Sequence, residues 1–183
     1  MKQPEFSEFP ILKTDRFILR KLLLSDAPVI YKLRSDDEVA RLTGKKPYTS
    51  LDEATSYIKK IDQMINHKEC IFWGISYKNS TALIGTICFW NFDIPNETVE
   101  IGYELLPEFQ NKGIMAEVLA FIVGYGYEVM GVKNIVAFPS IENPASVKLL
   151  EKVGFKLASA SYKNPHTNID GMLTYVMKRI LIN

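Results

Sequence analysis

The stretch that decides the fold runs from residue 98 to residue 130 and reads TVEIGYELLPEFQNKGIMAEVLAFIVGYGYEVM. Its first nine residues alternate between two faces, and the apolar face carries Val99, Ile101, Tyr103 and Leu105. This period of two predicts a strand, which Pro107 ends. In residues 114–130 the apolar side chains nearly encircle a helix, which predicts that the helix is buried. The chain therefore passes from a strand through a short loop into a buried helix.

The loop between these two elements, Gln110-Asn111-Lys112-Gly113, has the chemistry of an anion site. The first backbone N–H groups of a helix have no partner inside the helix, and the helix dipole places partial positive charge there. Gly113 lets the backbone come close to a phosphate. The fragment matches neither the P-loop, which needs Gly-Lys-Ser/Thr, nor the dinucleotide fingerprint, which needs three glycines. By itself it is more typical of an ordinary turn.

Outward from this stretch the chain follows the order β, α, α, β, β, β, α, β, α, β, β, a mixed α/β pattern around one sheet. The expected strands are residues 16–22, 71–77, 82–89, 98–106, 134–137, 156–162 and 172–178. The expected helices are residues 25–34, the stretch from behind Ser50 to Ile65, residues 114–130, and the stretch from Pro144 to Gly154. Ser25 is expected to cap the first helix, Ser50 with Glu53 the second, and Asn143 the last.

Composition bounds the class of protein. With 183 residues, 47% of them apolar, the chain is expected to form a single globular domain. Its 22 basic and 21 acidic residues balance, which gives no electrostatic footprint for nucleic acid or for an anionic membrane. The longest uncharged stretch, residues 79–92, is too short to span a bilayer, and the N-terminus lacks the apolar run of a signal peptide. Two cysteines and two histidines predict neither a disulfide framework nor a metal site, and favour a reducing, cytoplasmic compartment.

A second informative segment, residues 142–155, reads ENPASVKLLEKVGF and by itself predicts only a well-capped amphipathic helix. Taken together with the loop before the buried helix, in this order and spacing, it resembles the GNAT superfamily of N-acetyltransferases. The opening LKTDRFILR, residues 12–20, and the strand VEIGYEL, residues 99–105, are similar to the branch that includes the ribosomal-protein-alanine N-acetyltransferases. The resemblance covers nearly the whole chain, from about Leu12 to Lys178.

The resemblance implies an α/β (α+β) fold, a single GNAT-like domain over residues 1–183 with its core at about 12–178. The implied central sheet is mixed, mostly antiparallel and flanked by about four helices. The implied co-substrate is acetyl-CoA, with no metal. The residues implied to bind it are the coenzyme loop (Gln110, Asn111, Lys112, Gly113, Ile114, Met115 and Ala116), the splayed strand end that pairs with the pantetheine arm (Glu104, Leu105 and Leu106), and Asn143. Met115 departs from the small residue that the family places there.

For catalysis the family needs a neutral amine, a base for its proton, and a route by which the departing thiolate is protonated. By resemblance Glu100 is the base, and a solvated strand glutamate is the alternative interpretation. Ser146 matches a serine near the coenzyme sulfur, and an ordinary first-turn helix serine is the alternative. The tyrosine acid that many members carry seven residues after the asparagine is replaced here by Leu150. Cys88 is expected to be a buried apolar residue rather than a nucleophile.

These implications describe an acetyl-CoA-dependent N-acetyltransferase that transfers the acetyl group directly, in a ternary complex, to a primary amine. The acceptor is open between a protein N-terminus and a small molecule, and the sequence allows a homodimer without requiring one. The loop from Tyr162 to Asp170 and the early helices are expected to frame the acceptor groove. Met115 and Leu150 favour a second hypothesis, a CoA-thioester-binding sensor or interaction domain of the same fold. An enzyme for a longer acyl-CoA is the third.

Overall fold

The computed structural model of the chain describes residues 8–43, 45–159 and 171–179, and within these ranges eight strands form one sheet. They are β1 (Leu12–Lys13), β2 (Phe17–Arg20), β3 (Cys70–Tyr77), β4 (Gly85–Asp93), β5 (Thr98–Leu105), β6 (Asn134–Ala137), β7 (Lys156–Leu157) and β8 (Tyr175–Lys178). The strand order is β1-β2-β3-β4-β5-β6-β8-β7. Neighbouring strands are antiparallel except β5 and β6, which run parallel. The predicted mixed, mostly antiparallel sheet is therefore confirmed.

The described ranges contain five helices, one more than the predicted four: α1 (Ala27–Arg34), α2 (Asp37–Thr43), α3 (Leu51–Asn66), α4 (Ile114–Glu128) and α5 (Pro144–Val153). The additional helix is α2, which has seven residues and only one buried side chain, Ala40. Such a helix leaves no apolar period in the sequence. Its signal is the cap, because Asp36 Oδ1 accepts hydrogen bonds from Glu38 N and Val39 N, each at 3.0 Å.

Two predicted helix starts are confirmed in their hydrogen bonds. At the start of α3, Ser50 Oγ accepts a hydrogen bond from Glu53 N at 3.3 Å, and the Glu53 carboxylate accepts one from Thr49 N at 2.8 Å. At the start of α5, Asn143 Oδ1 accepts a hydrogen bond from Ser146 N at 3.0 Å. These bonds pair N–H groups for which the helix itself supplies no acceptor.

The predicted cap of α1 is wrong. Ser25 lies inside a 3₁₀ turn, and α1 begins after that turn at Ala27. Asp26 stands at the N-cap position but makes no capping bond with its side chain. Its carboxylate instead accepts two hydrogen bonds from the Arg20 guanidinium, at 2.8 and 2.9 Å, and one from Leu23 N at 2.8 Å. Charge-assisted bonds of this kind are stronger than the single bond of a helix cap.

Three strands have bounds that differ from those predicted from their apolar runs. β4 begins at Gly85 rather than at residue 82, because Ala82 N donates a hydrogen bond to Ser80 Oγ at 3.1 Å and so belongs to the hairpin loop. β8 begins at Tyr175 rather than at residue 172. β7 contains only the first two of the predicted residues 156–162, and the last three of these lie outside the described residues.

Two apolar clusters hold helices to the sheet. One lies under α4 and α5 and includes Ile71 and Leu119, and the other lies under α1 and α3 and includes Phe72 and Ile58. Because Ile71 and Phe72 are consecutive in β3, the two clusters are on opposite faces of the sheet. In the part of the chain that the structure describes, no helix is both long enough and apolar enough to cross a membrane.

Candidate active site

The parallel junction between β5 and β6 is short and opens into a cleft. Thr98–Glu100 pair with Asn134–Val136, and the described residues show no further pair between these strands. β5 continues to Leu105 with its other edge paired to β4. A cavity of about 600 Å³, which we call the cleft, extends from the start of α5 across β5 to the helices α1, α2 and α3. Its polar lining includes Glu100, Tyr103, Glu104, Asn143 and Ser146.

The main chain of Leu105 faces the open edge of β5. Leu106 N donates a hydrogen bond to Ile84 O at 3.0 Å, while Gly85 lies directly opposite Leu105. In an antiparallel pair this pattern makes Leu105 a non-hydrogen-bonded position, so its N–H and C=O point away from β4. Gln110 Nε2 donates a hydrogen bond to this carbonyl oxygen at 3.1 Å. Of the three residues expected to pair with the pantetheine arm, Leu105 is therefore the one whose main chain is at the open edge.

The expected coenzyme loop forms the start of α4. Asn111 and Gly113 both have left-handed backbone angles, with φ of 58° and 70°, and Gly113 is the N-cap. No side chain caps this helix, so the first-turn N–H groups of residues 114–116 have no partner within it. The Met115 side chain, 7% exposed, packs in the core between α4 and the sheet. Its bulk is thus directed away from the exposed loop.

A hydrogen-bonded clamp holds this helix start to the turn between β1 and β2. Glu117, in the first turn of α4, accepts bonds from Thr14 Oγ1 at 2.6 Å, Arg16 N at 3.0 Å and Arg16 Nε at 2.6 Å. Burial acts to raise the pKa of Glu117, but these hydrogen bonds outweigh burial and hold the pKa below its usual range. The Arg16 guanidinium lies beside Gly113 and adds a cation to the positive helix end. Sequence reasoning missed this clamp because its partners are about a hundred residues apart.

Glu100 is buried at the point where β5 and β6 separate. Its side chain lines the cleft and the residue is 6% exposed, which does not fit a solvated strand glutamate. Its Oε2 accepts a hydrogen bond from Asn91 Nδ2 at 2.8 Å. Asn91 has a φ of 48° in the irregular part of β4 between Trp90 and Asp93, where the register with β5 shifts. Irregularities of this kind re-aim side chains, and here an amide is directed at Glu100.

Ser146 and Tyr103 meet across the cleft. Ser146 is in the first turn of α5, and its Oγ lies 2.8 Å from the Tyr103 hydroxyl oxygen on β5. Burial raises the pKa of Tyr103 to about 12, and the hydrogen bond with Ser146 offsets only part of this effect. Leu150, one turn further along α5, is fully buried and apolar. Among the described residues, the hydroxyl that contacts Ser146 Oγ is that of Tyr103 on the opposite wall of the cleft.

A buried ion pair that sequence reasoning missed also lines the cleft. Arg34 Nη2 on α1 donates hydrogen bonds to Glu104 Oε1 at 3.0 Å and to Tyr57 OH at 2.9 Å. The guanidinium carbon lies 4.0 Å from the centroid of the Tyr57 ring. Burial acts to lower the pKa of Arg34, but the Glu104 carboxylate and the nearby tyrosines outweigh it and raise the pKa. Burial also raises the pKa of Tyr57 well above its usual value.

The thiol of Cys88 is not activated as a nucleophile, as predicted, and neither is that of Cys70. Cys70 is buried and Cys88 half-buried, and burial raises the pKa of both to about 12, so both are protonated thiols. His67 ends α3 and is exposed. The loop from Tyr162 to Asp170, which contains His166, lies outside the described residues. Across the described ranges no group of His, Cys, Asp or Glu side chains could hold a metal ion.

Comparison with known sequences identifies one domain over most of the chain. The family model described as an acetyltransferase (GNAT) domain matches residues 16–156. YoaA of Bacillus subtilis (strain 168), an uncharacterized N-acetyltransferase, is 39% identical over 148 residues, which are 81% of this chain and 84% of YoaA.

Solved structures share the fold. The spermidine N-acetyltransferase of Vibrio cholerae, in complex with CoA and spermine, has a TM-score of 0.72 at 20% identity and covers 88% of this chain and 95% of its own. The ribosomal-protein-S5-alanine acetyltransferase of Vibrio fischeri also has a TM-score of 0.72 at 20% identity, over 92% of this chain and 96% of its own. These similarities confirm the predicted fold class.

Proposed function

Because this chain belongs to the GNAT acetyltransferase family, we propose that the cleft binds acetyl-CoA and that the acetyl group passes directly to a primary amine beside Glu100. The observation that carries this proposal is the separation of β5 from β6 directly after Glu100. A buried carboxylate, that of Glu100, thereby lies where the edge of β5 becomes free, and the uncapped start of α4 follows this strand along the chain.

The coenzyme is held in this proposal mainly by the main chain. The unpaired N–H groups at the start of α4 bind the pyrophosphate, supported by the helix dipole and the Arg16 guanidinium. The pantetheine arm pairs with the open edge of β5 at Leu105, as an added strand would. Asn143 uses its Oδ1 to cap α5, which leaves its amide nitrogen to donate a hydrogen bond to a pantetheine carbonyl.

The chemistry is an attack of the neutral amine nitrogen on the thioester carbonyl carbon. The new N–C bond forms, and the amine proton passes to Glu100 directly or through a water molecule. The C–S bond then breaks and its electron pair moves to sulfur. Ser146 Oγ donates a hydrogen bond to the thiolate that leaves, because Ser146 lines the same cavity as Glu100.

The proposed acceptor is a primary amine of low pKa, such as the α-amine of a protein N-terminus. An α-amine has a pKa of about 7.7–8.0 and a lysine amine about 10.4, so at pH 7 roughly a tenth of the first is neutral and well under a thousandth of the second. A site with one carboxylate base therefore acetylates an α-amine more easily. The acceptors named for the two structural neighbours, spermidine and a ribosomal-protein alanine, differ from each other, so the argument rests on amine chemistry. We place the reaction in the cytoplasm, because both cysteines are free thiols.

The second hypothesis, a sensor that binds a CoA thioester without transfer, rests on two departures from the family pattern. One of them, Met115, has its side chain in the core and does not crowd the coenzyme loop. The other, Leu150 in place of a tyrosine acid, remains. The acetyltransferase proposal therefore needs a donor for the thiolate from another part of the cleft.

The test combines coenzyme binding with release of the CoA thiol. The full chain is incubated with acetyl-CoA and a panel of amines: peptides with a free α-amine, α-blocked peptides with a free lysine, and small alkylamines and polyamines. We expect acetyl-CoA to raise the melting temperature, since a ligand at a hundredfold excess over its Kd adds about 2.7 kcal/mol to folding. We also expect thiol release matched by N-acetyl product, fastest with α-amines.

Three outcomes of this test would change the proposal. Stabilisation by acetyl-CoA without transfer to any amine would favour the sensor. No stabilisation at millimolar acetyl-CoA would refute coenzyme binding. When the same assay is repeated with butyryl-CoA and longer thioesters, faster transfer from these than from acetyl-CoA would favour the longer-acyl enzyme.

A further inference from the structure

We propose that Tyr103 is a positioning residue for acetyl transfer, whose hydroxyl donates a hydrogen bond to Ser146 Oγ and so directs the Ser146 proton at the thiolate of the departing coenzyme. This inference rests on the proposed function and adds a residue from the opposite wall of the cleft. It answers the question that Leu150 raises, namely which group assists the leaving thiolate when the family tyrosine on α5 is missing.

The geometry of the pair carries the inference. Tyr103 is on the part of β5 that has separated from β6, and its hydroxyl oxygen lies 2.8 Å from Ser146 Oγ in α5. The contact therefore spans the two walls between which the pantetheine arm would lie. Both side chains line the cavity that also contains Glu100.

Each hydroxyl has a single proton, and this determines which of the two residues donates the hydrogen bond between them. A serine hydroxyl has one proton and can accept hydrogen bonds at its oxygen. If Ser146 donates to Tyr103, it has no proton left for sulfur. If Tyr103 donates to Ser146, the serine proton is available to a thiolate, and each bond polarises and strengthens the other. Formation of the anion at sulfur therefore selects the second arrangement.

Tyr103 keeps its own proton throughout. Burial raises its pKa to about 12, whereas an alkyl thiol has a pKa of about 8.5, so the tyrosine holds its proton more than about a thousandfold more strongly than the thiol does. The coenzyme leaves as a thiolate that carries the electron pair of the broken C–S bond and later takes a proton from water. The amine proton is on Glu100. Tyr103 and Ser146 thus stabilise charge without exchanging protons with the substrate.

The experiment compares Tyr103→Phe, Ser146→Ala, the double variant and a matched control, Tyr127→Phe. Tyr127 is also a buried tyrosine whose pKa burial raises to about 12, and its hydroxyl donates to Met177 O at 2.9 Å away from the cleft. Phenylalanine in either place removes one buried tyrosine hydrogen bond. Only Tyr103→Phe removes the bond to Ser146, the residue that donates a hydrogen bond to the sulfur.

We expect Ser146→Ala to lower kcat about 10- to 100-fold, and Tyr103→Phe about 3- to 10-fold, because loss of a hydrogen bond to a charged group is larger than loss of one between neutral groups. The KM for acetyl-CoA should stay within about twofold of the wild-type value, and Tyr127→Phe should keep the wild-type kcat. Because Tyr103 acts through Ser146, the double variant should be no slower than Ser146→Ala alone. Wild-type kcat in Tyr103→Phe, or two losses that multiply in the double variant, would overturn the inference.

A second readout needs binding of CoA but no turnover. The ultraviolet absorbance of the CoA thiolate is titrated with pH in the complex, with desulfo-CoA as the blank. We expect bound CoA to ionise at lower pH in the wild type and in Tyr127→Phe than in Tyr103→Phe. The same ionisation in all three would overturn the inference. A wild-type chain that binds CoA and transfers nothing would refute the proposed function, while this titration would still decide the role of Tyr103.

Discussion

The two regions proposed to bind acetyl-CoA and to transfer its acetyl group are built from different chemical groups. Around the start of α4, the groups offered to a ligand are main-chain N–H groups, set by the left-handed angles of Asn111 and Gly113. Around Glu100 they are side chains, and each is held by a partner from another element, as Asn91 holds Glu100 and Tyr103 holds Ser146. We call these regions the main-chain end and the side-chain end.

The difference teaches which substitutions each end should tolerate. The main-chain end depends on backbone conformation and on having N–H groups, so most side-chain changes there should leave coenzyme affinity unaltered. The side-chain end depends on single atoms of single residues, so even changes that keep the shape of a side chain should lower turnover there. The two ends should therefore respond to opposite kinds of substitution, one to changes of backbone and the other to changes of functional group.

The largest effect is expected from Glu100→Gln at the side-chain end. An amide cannot accept the amine proton, so kcat should fall about 10²- to 10⁴-fold and the acidic limb of the pH–rate profile should flatten. Coenzyme affinity should be unchanged, because the main-chain end is untouched. Steady-state kinetics across pH, with calorimetry of CoA binding, measure both, and Glu69→Gln on the exposed surface is the control. Unchanged turnover in Glu100→Gln would assign the proton transfer to water alone.

Next in size is the loss of stability on breaking the ion pair that lines the cleft. Glu104→Leu leaves Arg34 charged and buried, and the free energy of unfolding should fall by about 3–5 kcal/mol. Removing both charges, in Arg34→Met with Glu104→Leu, should cost less than the single change. Urea denaturation measures these differences. A double variant as unstable as the sum of the two single variants would show that the side chains do not act as a pair.

At the main-chain end, Gly113→Pro should weaken coenzyme binding about 10- to 100-fold. Proline removes an N–H group and cannot adopt the φ of 70° found at this position. Gly131→Pro is the matched control, since Gly131 has a φ of 67° in the loop after α4 with open space around it. Titration calorimetry with acetyl-CoA compares the two variants. Equal losses in both would mean that backbone strain, rather than the loop itself, impairs binding.

A smaller effect is expected at Met115, where a substitution should change the free energy of unfolding and leave coenzyme binding unaltered. Met115→Ala opens a cavity in the core and should lower the free energy of unfolding by about 2 kcal/mol. The Kd for acetyl-CoA should not change, because the N–H of residue 115 is retained. Met130→Ala, with a methionine of similar burial beyond the end of α4, is the control. Weaker binding in Met115→Ala alone would contradict the independence of this end from its side chains.

The smallest effect concerns acid stability through the clamp at the start of α4. The pKa of Glu117 is lower in the folded chain than its unfolded value of about 4.3, so its favourable contribution is complete above that value and is lost as the pH falls through the folded pKa. The melting temperature of Glu117→Gln should therefore fall less than that of the wild type as the pH is lowered from about 6 to about 3. Thermal melts over this range measure it, with the exposed Glu128→Gln as control. Identical slopes would show that the clamp does not depend on ionisation.

The same comparison explains how much the sequence could reveal. The caps at Ser50 and Asn143 depend on neighbouring residues and could be predicted from spacing alone, whereas the role of the loop before α4 came from the resemblance. The resemblance supplied Glu100 and Ser146. Their partners could not be found from local pattern.

Two kinds of feature could not be predicted: contacts between residues far apart along the chain, and a helix too short to show an apolar period. Tyr103 and Ser146 are 43 residues apart, and Arg34 and Glu104 are 70 apart, so only the fold brings each pair together. α2 is too short to show a period. Sequence patterns contain neither kind of information, because an apolar period reports which face is buried and not what a polar side chain meets.

The short parallel junction between β5 and β6 also has a consequence for how the chain folds. β3, β4 and β5 follow one another along the chain as antiparallel neighbours, so their contacts close short loops and form early. β6 can pair with β5 only after α4 has crossed the sheet, and β8 then completes β6 from the end of the chain. We therefore expect the antiparallel meander to form before the cleft does. Acetyl-CoA would therefore bind only after β6 and β8 have docked, and its binding would stabilise the completed fold.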